Sequence, residues 1–313
     1  METSELFRNI INLPIISSGL AEEMLSGNFR SVFKGQGMEF DEARHYQPGD
    51  DIRSIDWNAS ARFGHPFVKM YREERELTIL LLIDVSPSMH RGNIARHELN
   101  TGKGAKQFLS PYEQALISAA MIAFSAEHTG QQAGALFFDM NIEKLFTPRK
   151  GRKSLMALVM AALQYQNNAA PRRSQYGSDI ASALSGAQRL LKKRSLVILI
   201  SDFYSVKWEN EMGNLCKKHD VIALKINGPR ELPFPGLVTL EDPETGIRIE
   251  APSGLDSFKG SWREWHTERS TRWESQCKKC GASYLEISTE DDAPSSLLKF
   301  FGHHSQQRYR KKI

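Results

Sequence analysis

The sequence predicts an α/β fold in which a doubly wound, mostly parallel sheet follows an N-terminal β-rich extension. Residues 77–83 and 196–200 are continuous apolar runs, too short for typical helices and typical of strands covered on both faces. Segments with helical spacing alternate with these runs, as parallel strands require. Both runs stop at an acid, Asp84 and Asp202. Ligands of such sheets bind at the carboxyl ends of the strands, so the two acids form a candidate pair.

The extension covers residues 1–76. Leu20, Met24 and Leu25 have helical spacing, and residues 35–76 combine turn residues with alternating apolar positions, which predicts short strands joined by turns. Gly35 and Gly37 do not predict a phosphate loop, because no apolar strand precedes them and no helix follows. Three acids of the extension, Asp50, Asp51 and Asp56, could bind calcium. Acidic residues beside turns usually cap those turns, so capping is the favoured interpretation.

The remaining chain is predicted as one domain, residues 77–302, followed by a basic tail, 303–313. Ser110 and Pro111 predict a helix start, and Pro243 with Gly246 predicts a hairpin turn. The predicted elements after the first strand are a polar loop (90–110), a helix (112–128), a strand (133–138), a possible edge strand (142–146), helices (152–165 and 179–193), a strand (196–200), a helix (207–219), a strand (221–226), an inserted hairpin (237–251), a helix (256–280), a strand (284–287) and a helix (294–301).

Composition excludes several classes of protein. The chain has 313 residues, 40% hydrophobic and 25% charged, as in ordinary globular proteins. No apolar stretch is long enough to span a membrane and the N-terminus lacks a signal-peptide pattern, so a cytoplasmic protein is expected. Three cysteines are too few for a disulfide framework or a four-cysteine zinc site. Cys277 and Cys280 lie on the predicted helix 256–280, and Cys280 shares one face of it with Phe258, Trp262, Trp265 and Trp273, which favours a buried structural thiol over a redox role.

Nucleic-acid binding is not favoured. The net charge of +4 comes largely from the tail, and a solvated terminus explains such a charge run. Neither the tail nor the 90–110 loop has the interleaved aromatic residues of a nucleic-acid surface.

A motif of three oxygen-bearing side chains follows the first strand. Asp84, Ser86 and Ser88 are spaced by two residues, so that their oxygens can point toward one cation. The alternative is that the serines cap the next turn while Asp84 binds backbone amides. The motif by itself does not separate these interpretations.

Three separated segments together resemble the von Willebrand factor A fold and its metal-ion-dependent adhesion site. Asp84, Ser86 and Ser88 match the first segment, Ser178 stands where the family has threonine, and Asp202 matches the third. The resemblance implies a site for Mg2+, with Mn2+ or Ca2+ as other candidates. Serine keeps the hydroxyl needed for coordination and loses only a methyl group. Asp179 is interpreted as a helix-start residue or as a support for the ligands.

The N-terminal segment carries a more specific signature. It resembles the bacterial domain-of-unknown-function family 58, whose members are von Willebrand factor A-like and associated with MoxR-type AAA+ ATPases. The resemblance covers about residues 30–290 and implies a MoxR-type ATPase and a client protein as partners. The matching residues are Gly35, Gly37, Glu39, Phe40, Arg44, Tyr46, Pro48, Gly49, Asp50, Asp51, Arg53, Ile55, Asp56, Trp57, Ser60, Ala61 and Arg62.

The favoured function is therefore a non-enzymatic, metal-dependent interaction module that serves such an ATPase as adaptor or substrate receptor in protein maturation or remodelling. The alternative is a magnesium-dependent hydrolase or phosphotransfer enzyme that uses Asp84 as nucleophile or ligand. His90 and His128 are its histidine candidates, and no nucleophile elbow or Walker loop accompanies them.

Overall fold

A six-stranded sheet forms the centre of the molecule. The computed structural model describes residues 18–21, 38–73, 77–90, 109–167, 177–228, 237–241, 248–252 and 254–306. The strands of this sheet are β3 (Thr78–Asp84), β4 (Gln132–Phe138), β5 (Ile142–Arg149), β6 (Leu196–Ser201), β7 (Asp220–Asn227) and β10 (Ser283–Ser288). Their order is β10-β7-β6-β3-β4-β5, with β4 and β5 antiparallel and the other neighbours parallel. The predicted α/β fold with a mostly parallel sheet is confirmed.

Alternate residues of the central strands face two helical layers, which explains their continuous apolar sequence. Ile79, Leu81 and Ile83 of β3 face a layer made of α3 (Pro111–His128), α4 (Arg152–Asn167) and α8 (Ala293–Gln306). Leu80 and Leu82 face the layer made of α5 (Ile180–Leu190), α6 (Glu209–Cys216) and α7 (Asp256–Cys280). Both faces of the sheet are thus covered by helices, so a ligand would reach the sheet where its strands end.

Local sequence signals start the helices as expected. Ser110 and Glu113 form a reciprocal capping box at the start of α3, with Pro111 at its first position. Asp179 caps α5, accepting a hydrogen bond from the Ser182 N–H at 3.0 Å, so its prediction as a helix-start residue is confirmed. Helix α6 is shorter than the predicted 207–219.

The N-terminal extension contains a β-hairpin, as predicted, but also helical structure that the turn-rich sequence did not indicate. β1 (Met38–His45) pairs antiparallel with β2 (Phe67–Glu73), and Ile52–Ser54 and α1 (Trp57–Phe63) lie between them. The capping interpretation of its acids fits: Asp51 and Asp56 cap these two helical segments, and Asp50 forms an ion pair with Arg44 at 2.6 Å.

The predicted hairpin insertion is present as β8 (Leu237–Glu241) paired with β9 (Arg248–Pro252). The expectation of one buried aromatic face on α7 is only partly correct, because Trp273 and Cys277 are buried whereas Trp265 is 46% exposed and Cys280 is half-buried.

Several predictions fall outside the described residues. They are the phosphate-loop glycines, most of the N-terminal helix, the loop segment 91–108 and the tail segment 307–313. The domain boundaries 1–76, 77–302 and 303–313 remain predictions. Within the part of the chain that the structure describes, no helix is both long and apolar enough to cross a membrane.

Candidate metal-binding site

Strand pairing brings the two predicted acids together. β3 and β6 are parallel neighbours in which Ile83 lies opposite Ile200, so Asp84 and Asp202 lie together where these strands end. We call this end of the parallel strands the carboxyl edge of the sheet, and the opposite end the amino edge. Asp84 is fully buried and Asp202 is 5% exposed. Two carboxylates are therefore held next to each other with little access to water.

The Asp84 carboxylate is fixed by two hydrogen bonds. Its Oδ1 accepts the Ser86 N–H at 2.9 Å, and its Oδ2 accepts the Ser201 hydroxyl at 2.6 Å. The Ser201 Oγ in turn accepts the Phe203 N–H at 3.0 Å. Asp84 thus links the loops that follow β3 and β6. Ser201 was not predicted as a residue of the site, and its place beside Asp202 was the only sign of this role in the sequence.

Ser86 and Ser88 complete the first segment. They flank the start of a single helical turn, α2 (Pro87–His90), and their hydroxyl oxygens lie 3.0 Å apart. The Ser88 hydroxyl also lies close enough to Asp202 to lower its pKa, and the Asp202 Oδ1 accepts the Tyr204 N–H at 3.2 Å. The three motif residues and Asp202 therefore form one continuous polar cluster.

Ser178 reaches this edge from a different loop. The Asp179 N–H donates to the Asp139 carbonyl at 2.8 Å, which places the segment beyond the end of β4, the other neighbour of β3. The Ser178 hydroxyl is buried, and among the described residues it has no hydrogen-bond partner. Because a buried polar group without a partner is costly, this oxygen is a candidate metal ligand.

The electrostatics of the cluster are unfavourable without a cation. Burial and the neighbouring Asp202 carboxylate raise the pKa of Asp84 to about 7. Burial also raises the pKa of Asp202, against lowering contributions from Ser88, the Tyr204 N–H and Arg269. Two buried acids oppose each other's ionisation, and a cation between them would relieve that repulsion.

The donor set fits a hard divalent cation. Two carboxylates and three hydroxyls provide the oxygen ligands that Mg2+ and Ca2+ prefer. No group of three or more His, Cys, Asp or Glu side chains suited to metal binding occurs in the described ranges. The Asp84 cluster differs from such groups because three of its five side chains are serines.

A strained loop continues from Asp202 toward α7. Phe203 and Lys207 have φ angles of 55° and 64°, a left-handed conformation that is costly for residues other than glycine. Phe203 is buried against Trp208 and Trp273. Core packing therefore holds the loop in a conformation that its sequence does not favour.

Arg269 of α7 is the second functional residue that the sequence analysis missed. Its Nη2 donates to the Asp202 carbonyl at 3.1 Å, and its guanidinium lies 3.4 Å from the centre of the Tyr204 ring. The residue lies far from Asp202 in sequence, and only helix packing brings the two together.

The two candidate histidines lie in different places relative to the cluster. His90 ends α2 and its ring packs on Tyr112 at 4.3 Å; burial lowers its pKa to about 4. His128 is in the last turn of α3, just before β4 begins, and therefore lies at the amino edge of the sheet, opposite Asp84. The expectation that His128 lies near the site is wrong.

Comparison with known proteins places the chain in a family. Residues 42–271 match the family described as "Protein of unknown function DUF58". Uncharacterized proteins of Mycobacterium bovis and Mycobacterium tuberculosis are each 28% identical over 88% of this chain and 83% of their own length.

Two solved structures are similar at lower identity. The conserved hypothetical protein BatB from Bacteroides thetaiotaomicron is 15% identical, covering 74% of this chain and 100% of that one with a TM-score of 0.43. An aerotolerance-related membrane protein from Bacteroides fragilis is 13% identical, covering 74% and 99% with a TM-score of 0.44. On the extent of the family match, the chain belongs to the DUF58 family.

Proposed function

We propose that this protein is a non-enzymatic interaction module that contacts another protein through a divalent cation, with Mg2+ as the first candidate and Mn2+ or Ca2+ as others. Asp84, Ser86, Ser88, Ser178 and Asp202 would hold the ion. The observation that carries the proposal is the buried Ser178 hydroxyl, which has no hydrogen-bond partner among the described residues, at the carboxyl edge where two buried acids oppose each other's ionisation.

The chemistry of the donor set supports a binding role. A bound dication would supply a positive centre able to attract a carboxylate of another protein. The chain's own residues contribute order: Ser201 and the Ser86 N–H orient Asp84, and Tyr204 and Ser88 orient Asp202. Such fixed supporting contacts are typical of metal sites whose ligands are preorganised.

The proposed partners are a MoxR-type AAA+ ATPase and a client protein. The family signature in the N-terminal extension, which resembles ATPase-associated proteins, supports the first partner. In this proposal the protein acts as adaptor or substrate receptor during protein maturation or remodelling.

Isothermal titration calorimetry with MgCl2 tests the metal site directly. Wild type is expected to bind magnesium, whereas Asp84→Ala and Ser178→Ala are expected to bind it at least about tenfold more weakly. Asp220→Asn is the matched control, because Asp220 begins β7 at the opposite edge and forms an ion pair with Arg194. Circular dichroism checks that each variant folds.

Equal magnesium affinity in wild type and both site variants would refute the metal site. Partner binding is tested next with a purified MoxR-type ATPase immobilised on resin, in magnesium or in chelator. Retention that is equal in both solutions and unchanged by Ser178→Ala would refute a metal-bridged contact.

A further inference from the structure

A pocket opens beside the candidate metal site, on the same side as α7. It has a volume of about 300 Å³ and lies between the strained loop 203–209 and one face of that helix. Tyr204, Val206 and Trp265 give it apolar walls, and all three are substantially exposed, at 40%, 73% and 46%. Exposed aromatic and aliphatic walls around a concave surface are typical of binding sites.

The pocket is directly connected to the metal-site residues. Arg269 forms part of its lining and donates to the carbonyl oxygen of Asp202. The Tyr204 N–H contacts the Asp202 carboxylate while the Tyr204 ring stacks on Arg269. Arg269 and Tyr204 of the pocket therefore both contact Asp202 of the candidate metal site.

The charge of the lining favours an anion. Four basic side chains and two acidic ones contribute to it, and one of the acids, Glu209, is hydrogen-bonded by Gln276 at 2.6 Å. Lys225 is buried at the pocket and is bonded to Ser270 at 3.0 Å, with Glu286 3.8 Å away. The basic side chains outnumber the acids, so the pocket attracts negative charge.

Two of the basic side chains remain available for a ligand. Among the described residues, no carboxylate lies within ion-pair distance of Arg269 or Arg272. Arg269 is already oriented by Asp202 and Tyr204, which reduces the entropy lost when it binds an anion. Arginine is also the residue best suited to hold a carboxylate with two parallel hydrogen bonds.

We propose that this pocket binds an acidic segment of a partner protein, with a carboxylate held at Arg272 and a neighbouring apolar side chain packed on Trp265. The proposal rests on the interaction role proposed above, because it describes a second contact of the same partner. A nucleic acid fits less well: Glu268 lies at the rim, and one face of the Tyr204 ring is covered by Arg269, which leaves less room for a stacked base. The volume suits one or two side chains.

Fluorescence polarisation with a short labelled peptide of Glu-Phe-Gly repeats tests the proposal. Wild type is expected to bind this peptide at least about tenfold more tightly than the same peptide with Gln in place of Glu. Arg272→Ala is expected to lose about tenfold in affinity for the Glu peptide and to show little preference for it over the Gln peptide. Trp265→Ala is expected to weaken both peptides.

The matched control is Arg152→Ala, which removes the same charge from an exposed position in the first turn of α4, on the opposite face of the sheet. It is expected to bind the peptides like wild type. Equal affinity in wild type and Arg272→Ala, or no binding of the Glu peptide, would overturn the proposal. So would an oligothymidylate that displaces the peptide and binds more tightly.

Measuring each arm with magnesium and with chelator separates the two proposals. The Arg272 effect reports on the pocket, and the magnesium effect reports on the metal site. If the Arg272 effect persists while magnesium changes nothing, the pocket stands and the metal bridge fails. If magnesium strengthens binding while wild type and Arg272→Ala bind the Glu peptide equally tightly, the metal site stands and the pocket fails.

Discussion

Acidic side chains have opposite environments at the amino and carboxyl edges of the central sheet. At the amino edge, Asp220 forms an ion pair with Arg194 at 2.8 Å, and both side chains contact solvent. At the carboxyl edge, Asp84 and Asp202 are buried next to each other and are held mainly by hydroxyl and amide donors. The first arrangement neutralises a charge locally, whereas the second places two acids where burial and proximity disfavour their ionisation.

This difference indicates where the fold gives up stability for function. A solvated ion pair contributes little to stability and costs little. Two buried carboxylates are unfavourable unless a cation joins them. The same residue type is thus structural at one edge and a candidate ligand at the other. Four measurements test this contrast.

The largest expected effect is stabilisation by magnesium. At a concentration about 100 times the dissociation constant, Mg2+ should stabilise wild type by about 2.7 kcal/mol, since a ligand that binds only the folded state shifts the equilibrium by mass action. Asp202→Asn should lose this gain and Asp220→Asn should keep it. Thermal unfolding in magnesium and in chelator measures both. A gain that survives in Asp202→Asn contradicts the contrast.

The next prediction compares two buried serines at the carboxyl edge. Ser201→Ala should lower the free energy of unfolding by about 1–3 kcal/mol, because it removes the donor to a buried carboxylate. Ser178→Ala should cost close to nothing in chelator, because this hydroxyl has no partner among the described residues. Urea unfolding monitored by circular dichroism measures the two values. Equal losses would show that Ser178 has a structural bond.

A smaller effect is expected when one charge is removed from the metal-free site. Asp202→Asn should raise the free energy of unfolding in chelator, by less than Ser201→Ala lowers it, because a neutral amide replaces a buried carboxylate. The amide oxygen can still accept from Ser88 and from the Tyr204 N–H while the repulsion of Asp84 disappears. A destabilised variant would mean that the Asp202 charge is already compensated.

The smallest effect is expected at the amino edge. Arg194→Ala should change the free energy of unfolding by less than about 1 kcal/mol, because the ion pair that it breaks is solvated. The change should be equal in magnesium and in chelator. A magnesium-dependent effect would contradict the assignment of this edge as structural.

Much of the fold followed from local patterns. The apolar runs of β3 and β6 predicted buried strands, the Ser110 and Pro111 start of α3 was correct, and the alternation of elements predicted the parallel sheet. Helix α1 was missed because residues 57–63 lie in a turn-rich segment and bury none of their side chains, which leaves no periodic apolar signal.

The structure brings together the two acids of the candidate site that the sequence predicted, whereas the residues that support them were not predicted. Asp84 and Asp202 stood out because each ends an apolar run. Ser201 and Arg269 carried no comparable signal, since one is a serine at a strand end and the other an arginine on a charged helix. Their roles depend on contacts across large sequence separations.

Local periodicity and turn chemistry were enough to predict most of the strands and helices, and which acids and hydroxyls stand at strand ends. Tertiary structure decided the rest. Pairing of β3 with β6 placed Asp84 beside Asp202, and packing of α7 brought Arg269 against the loop that forms the pocket. Burial then turned ordinary carboxylates into groups whose charges oppose each other, a property that depends on the local dielectric and neighbours.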